Sequence, residues 1–110
     1  MKDIAAIEKL LIEACDNFVA SGEGKKIVAD IFLSRDNSCR CPLASVANDC
    51  FDETLILETA AEILKCSMCE LESFMRGFDG LPVNARNNNE IQFFDLGTKL
   101  RKKYIFPELI

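Results

Sequence analysis

Between Asp3 and Ser21 apolar residues return every three or four positions: Ile4, Ile7, Leu11, Cys15 and Phe18, with Leu10 and Ala14 widening the stripe. That spacing predicts an amphipathic helix, ended by Gly22 and Gly24. Ile27 to Leu33 is a short apolar run rich in β-branched residues, readable as a strand or a helical turn. Ser34 to Ser38 (Ser-Arg-Asp-Asn-Ser) reads as a turn, so one small β-hairpin near residues 27–41 is expected.

Pro42 suits the first position of a short helix running to about Asn48, with Cys41 at the cap. Asp52 can cap the next helix, whose apolar face is read as Leu55, Ile56, Thr59, Ala60, Ile63 and Leu64. Ser67 followed by Glu70 is a capping box that opens a helix through Leu71, Phe74 and Met75. Gly77 is read as its C′ residue, and Asp79-Gly80 as a turn. After a polar loop from Leu81 to Asn89, a last helix is expected from about Glu90 to Tyr104, carried by Ile91, Phe94, Leu96, Leu100 and Tyr104. Gly97 inside it suits a close helix crossing, at about 1 kcal/mol of propensity relative to Ala. The expected fold is mainly α: one domain over residues 1–110, a compact bundle of four or five helices with that small β element.

Composition narrows the function classes. With 28% charged residues and no long apolar run, a membrane-spanning segment is excluded by sequence. The N-terminal segment alternates charge with hydrophobicity and lacks the apolar region of a signal peptide, so a cytoplasmic location is expected. The net charge of −5 disfavours free-standing nucleic-acid binding, which rests on neutralising phosphates. Histidine is absent, which removes Ser–His and Cys–His catalytic pairs and every Cys/His zinc site. No phosphate-binding Gly loop, nucleophile elbow or acidic dyad is present, so no catalytic residue is assigned and enzyme activity is unsupported.

Six cysteines leave three readings open. Cys39, Cys41, Cys66 and Cys69 could form a Cys₄ zinc site with Cys50 as a spare ligand, although Cys-x-Cys is an unusual half for structural zinc. Cys41 and Cys66 border predicted helix N-termini, where the dipole favours thiolate and redox chemistry. Alternatively the cysteines pack as small core residues, as the placement of Cys15 and Cys66 suggests. The loop from Asp79 to Glu90 has the length of an EF-hand but carries Leu81, Val83 and Asn84 where calcium sites need ligands and Gly. Lys99, Arg101, Lys102 and Lys103 form the main basic cluster, in a helix's last turn where cations complement the dipole.

Thr59 to Leu71 resembles the helix-turn-helix motif of DNA-binding proteins. Ala61 stands at the small contact position, Leu64 ends the first helix, and Cys66 is the apolar turn residue. Ser67 caps the second helix and Leu71 packs back, while Lys65 stands where that motif most often has Gly. The segment from Asp49 to Asp79 carries eight acidic against two basic residues, which opposes DNA. Three further blocks are similar to small bacterial proteins of unknown function: Cys41-Pro42-Leu43, Phe74-x-x-Gly77-Phe78-Asp79-Gly80 and Leu96-Gly97-x-Lys99-x-Arg101-x-x-Tyr104. That resemblance implies a compact helical domain and no catalytic residue.

The functional expectation is a small protein-interaction module using the acidic helical pair from Asp52 to Phe78. Glu62, Glu70, Glu72, Phe74 and Phe78 are its candidate contact residues, toward a protein partner or a second copy of the chain. The alternatives are a helix-turn-helix DNA-binding regulator and a cysteine-based zinc or redox module.

Overall fold

The computed structural model describes residues 3–29, 34, 36, 38–47 and 52–105. Among these described residues five helices appear in order: α1 (Ile4–Ala20), α2 (Pro42–Val46), α3 (Glu53–Leu64), α4 (Met68–Phe78) and α5 (Asn88–Tyr104). Two short strands, β1 (Lys26–Ile27) and β2 (Cys39–Arg40), lie between α1 and α2. The mainly helical bundle with one small β element is therefore the architecture.

Local sequence sets most boundaries. Asp3 caps α1 by accepting from the Ala6 amide at 3.1 Å, and α1 buries Ile7, Leu11, Cys15 and Phe18, the stripe read from periodicity. Leu10, by contrast, lies at its exposed edge. Cys41 caps α2 with Pro42 at its first position; its sulfur accepts from the Ala44 amide at 3.4 Å. The α4 box is complete: Ser67 Oγ accepts from the Glu70 amide at 3.1 Å, and Glu70 accepts from the Ser67 amide at 2.8 Å. Asn87 caps α5, which begins slightly ahead of the expected Glu90.

The β element corrects the expected hairpin. β1 and β2 pair in parallel, Lys26 beside Cys39 and Ile27 beside Arg40. A hairpin turn cannot connect parallel strands, so β2 is entered by another route. The described residues just before β2 are organised by Asp36, whose carboxylate accepts from the hydroxyls of Ser34 and Ser38, both at 2.7 Å, and from the Ser38 amide. Those bonds, the Ser34 hydroxyl first, hold the exposed Asp36 carboxyl down at about 2. Ile31 to Leu33, part of the apolar run, lie outside the described residues.

Gly77 is also corrected. It lies inside α4 and is buried there; the left-handed residue that ends the helix is Gly80, at φ 75°. The Leu81 amide reaches back to the Arg76 carbonyl at 2.8 Å, the bond of a Schellman C-cap. Removing the side chain at Gly77 serves a different purpose. α4 and α5 cross with backbone against backbone, and Gly97 supplies the matching gap on α5. Phe74, Phe78, Phe93 and Leu100 are fully buried and Leu96 nearly so. At roughly 1.5–3 kcal/mol for each such side chain, this interface forms much of the core. Arg101 seals the end of the crossing by donating to the Phe78 carbonyl at 2.8 Å. α1 is tied to α5 by Lys99–Glu8 at 2.7 Å and by the Tyr104 hydroxyl donating to Asp16 at 2.7 Å.

Candidate functional site

The apolar residues of α3 do not all find a place in the core. Ile56, Ala60, Ala61 and Leu64 are buried, whereas Leu55 and Ile63, read from sequence as part of the same face, are 46% and 47% exposed. With 3.6 residues per turn, the buried set fills the side turned inward, and Leu55, Thr59 and Ile63 follow one another at four-residue spacing along an outer flank. Glu58 and Glu62, both exposed, run beside them at the same spacing. Among the described residues neither glutamate is in an ion pair. The outward side of α3 is thus a ridge of two aliphatic side chains bordered by two exposed carboxylates that form no ion pair among the described residues.

The ridge ends at a well-defined corner. Lys65 has φ 57°, the left-handed conformation for which Gly is ordinarily selected. The Cys66 amide bonds to the Ala61 carbonyl at 3.1 Å, closing a Schellman turn around Lys65. Half-buried Cys66 packs against the core, and Ser67 begins α4. Lys65, the departure from the helix-turn-helix pattern, is thus the left-handed residue between α3 and α4. Beyond the corner, α4 turns Met68, Cys69 and Glu72 to solvent.

Beside α4 lies an open cleft of about 530 Å³. Leu57, Met75 and Leu81 give it apolar surface, and Cys69, Glu72 and Arg76 line its α4 side. The 81–87 loop is held over it from two ends. Arg76 Nε donates to the Pro82 carbonyl at 2.8 Å, and Glu90 gathers the Arg86 amide at 3.1 Å and the Arg86 guanidinium and Asn87 amide nitrogen, each at 3.3 Å. The Arg86 amide bond is the leading cause that holds the Glu90 carboxyl below its usual range.

The candidate residues separate accordingly. Glu62 and Glu72 are exposed. Glu70 is buried as the α4 cap, and Phe74 and Phe78 belong to the core, so these three do not form the expected contact surface. The aromatic rings are drawn inward because the glycine crossing brings α5 onto the α4 face that carries them. Leu55, Glu58 and Ile63 are exposed instead, although periodicity reads both aliphatics as core.

Among the described residues no group of three or more Cys, Asp or Glu side chains converges as metal ligands, so Cys39, Cys41, Cys66 and Cys69 are not brought into one site. Cys50 lies outside the described residues. Cys15 and Cys41 are core thiols. Burial pushes Cys41 up to about 12, with the charge of Asp79 adding to it against the lowering effect of the Ala44 and Leu43 amides. Burial likewise raises Cys15. Cys69 is exposed. The basic cluster is dispersed too: Lys99 pairs with Glu8, Arg101 caps the Phe78 carbonyl, and Lys102 and Lys103 are exposed in the last turn of α5. Glu90, the twelfth residue of the loop with EF-hand length, is engaged by Arg86 and Asn87. Among the described residues no helix is long and apolar enough to cross a membrane. Compared with family models, curated proteins and solved structures, the chain finds no match in any of the three.

Proposed function

We propose that the protein is an interaction module that presents the outer faces of α3 and α4 to a protein partner. The observation that carries this reading is the α3 ridge: Leu55 and Ile63 remain nearly half exposed although the same helix buries Ile56, Ala60 and Leu64 completely or almost so. Exposed aliphatics scattered singly need no explanation, but two on one flank, beside the exposed carboxylates of Glu58 and Glu62, form a contact surface with both apolar and charged character. Met68 and Glu72 extend that character past the corner. A photo-cross-linking residue at position 63 or 72 is expected to trap a discrete partner in cells, whereas the same residue at exposed Asn17 or Glu23 traps none. Equal yields at all four positions contradict the reading.

A second reading, a helix-turn-helix DNA-binding regulator, is favoured by the left-handed Lys65 and the capped start of α4. Electrostatics weighs against it. The solvent side of α4 begins with Met68, Cys69 and Glu72, none of which attracts phosphate, and Glu58 and Glu62 stand nearby on α3. A salt-sensitive shift of duplex DNA, lost on Arg76→Ala, is the outcome that would establish it.

A further inference from the structure

The charges along the α3 ridge specify its occupant. We infer that the ridge docks a basic amphipathic helix, with that segment's aliphatic stripe laid on Leu55 and Ile63 and its Lys or Arg residues against Glu58 and Glu62; this rests on the interaction-module reading above. Leu55 and Ile63 are eight residues apart, about 12 Å along the helix axis. A partner helix that shows apolar residues two turns apart matches that separation. Glu58 and Glu62 lie one turn apart on the same flank, so cations at four-residue spacing beside the partner's apolar stripe meet both carboxylates.

A second copy of the chain does not fit as well. A two-fold dimer through this face would set Glu58 and Glu62 of one protomer against the same residues of its partner, and like charges in contact oppose association. A stable dimer also buries about 800 Å² on each side, whereas this ridge consists of two aliphatic and two acidic side chains. A transient, charge-selected complex is the form this surface supports, fast in association and sensitive to salt.

The test is fluorescence anisotropy with a labelled Leu/Lys amphipathic peptide, a Leu/Glu peptide of the same pattern, and a Leu/Lys peptide whose pattern is scrambled. The expected result is binding of the first peptide alone, weakened by salt. It should fall about tenfold or more for Glu58→Lys/Glu62→Lys and for Leu55→Ser/Ile63→Ser, and remain unchanged for Glu13→Lys/Glu23→Lys, which reverses charge elsewhere on the surface. All these positions are exposed, so the variants are expected to fold; circular dichroism of each checks this. Equal loss with the Glu13/Glu23 control, equal binding of the scrambled peptide, or no binding of any peptide overturns the inference. Self-association through α3, seen by sedimentation and abolished by Leu55→Ser/Ile63→Ser, also overturns it. If cross-links from position 63 still trap a partner while the Leu/Lys peptide fails, the interaction-module reading stands and the basic-helix assignment alone falls.

Discussion

Gly77 in α4 and Gly97 in α5 each rest against the backbone of the other's helix. A Cβ on Gly97 would overlap the Phe74 carbonyl oxygen and lie 2.8 Å from the Phe78 nitrogen; one on Gly77 would overlap the Phe94 carbonyl oxygen and lie 3.0 Å from the Thr98 nitrogen. Gly→Ala within a helix ordinarily gains about 1 kcal/mol of propensity. Here that sign reverses, because backbone, unlike a flexible side-chain end, cannot yield. Gly77→Ala and Gly97→Ala are each expected to cost about 2 kcal/mol or more and lower the melting temperature by roughly 10 °C. Thermal unfolding followed by circular dichroism checks this; a stabilised variant would contradict the crossing.

The corner between α3 and α4 gives a prediction of opposite sign. Lys65 carries a left-handed backbone at a cost of about 1 kcal/mol that Gly does not incur. Lys65→Gly is expected to raise stability by up to about that amount, and Ser67→Ala to lower it by about 1 kcal/mol through loss of the α4 cap. Chemical denaturation of the two variants reads both effects.

Much of the fold was legible in the sequence, and the failures share a cause. Caps were readable because they depend on neighbours in the chain: Cys41-Pro42 and the Ser67/Glu70 box act as expected, and Asp3 at the start of the first helical span is its cap. Gly97 was readable as a close crossing because a helix interior otherwise rejects Gly. Local pattern assigns its partner Gly77 to a helix end, since the contact that explains it lies 20 positions away in sequence. The surface site was hidden for the same reason. Nothing local distinguishes Leu55 and Ile63 from Ile56 and Leu64; only the packing of the other helices decides which apolar residues of α3 remain outside. The parallel pairing of β1 and β2 was likewise beyond local pattern.

Glu90 makes the stability of the α5 start depend on pH. Its carboxyl is held below the usual range, the Arg86 amide bond being the leading cause, so its charged form is favoured in the folded state. A lowered folded-state value means the contribution is complete above the unfolded value of about 4.3 and is lost as pH falls through the folded one. Glu90→Gln is therefore expected to melt below wild type at neutral pH, with the gap closing as the pH is taken below that range. A gap that stays constant with pH would contradict the role of its charge.

Thiol accessibility should divide the cysteines by burial. Cys69 is expected to react with iodoacetamide in the native protein, whereas Cys15 and Cys41 should be alkylated only after unfolding. Peptide mapping by mass spectrometry assigns the labels, and rapid native labelling of Cys41 would contradict its place as the buried cap of α2.

On the reading proposed above, recognition takes place on the outer face of α3. The most direct measurement is a ¹H–¹⁵N correlation spectrum of the labelled protein titrated with the Leu/Lys amphipathic peptide. Shift changes are expected to concentrate between Leu55 and Glu72, with the amides of α1 and the end of α5 left in place. Changes centred on α1 or α5, or a spectrum unmoved by the peptide, would contradict that reading.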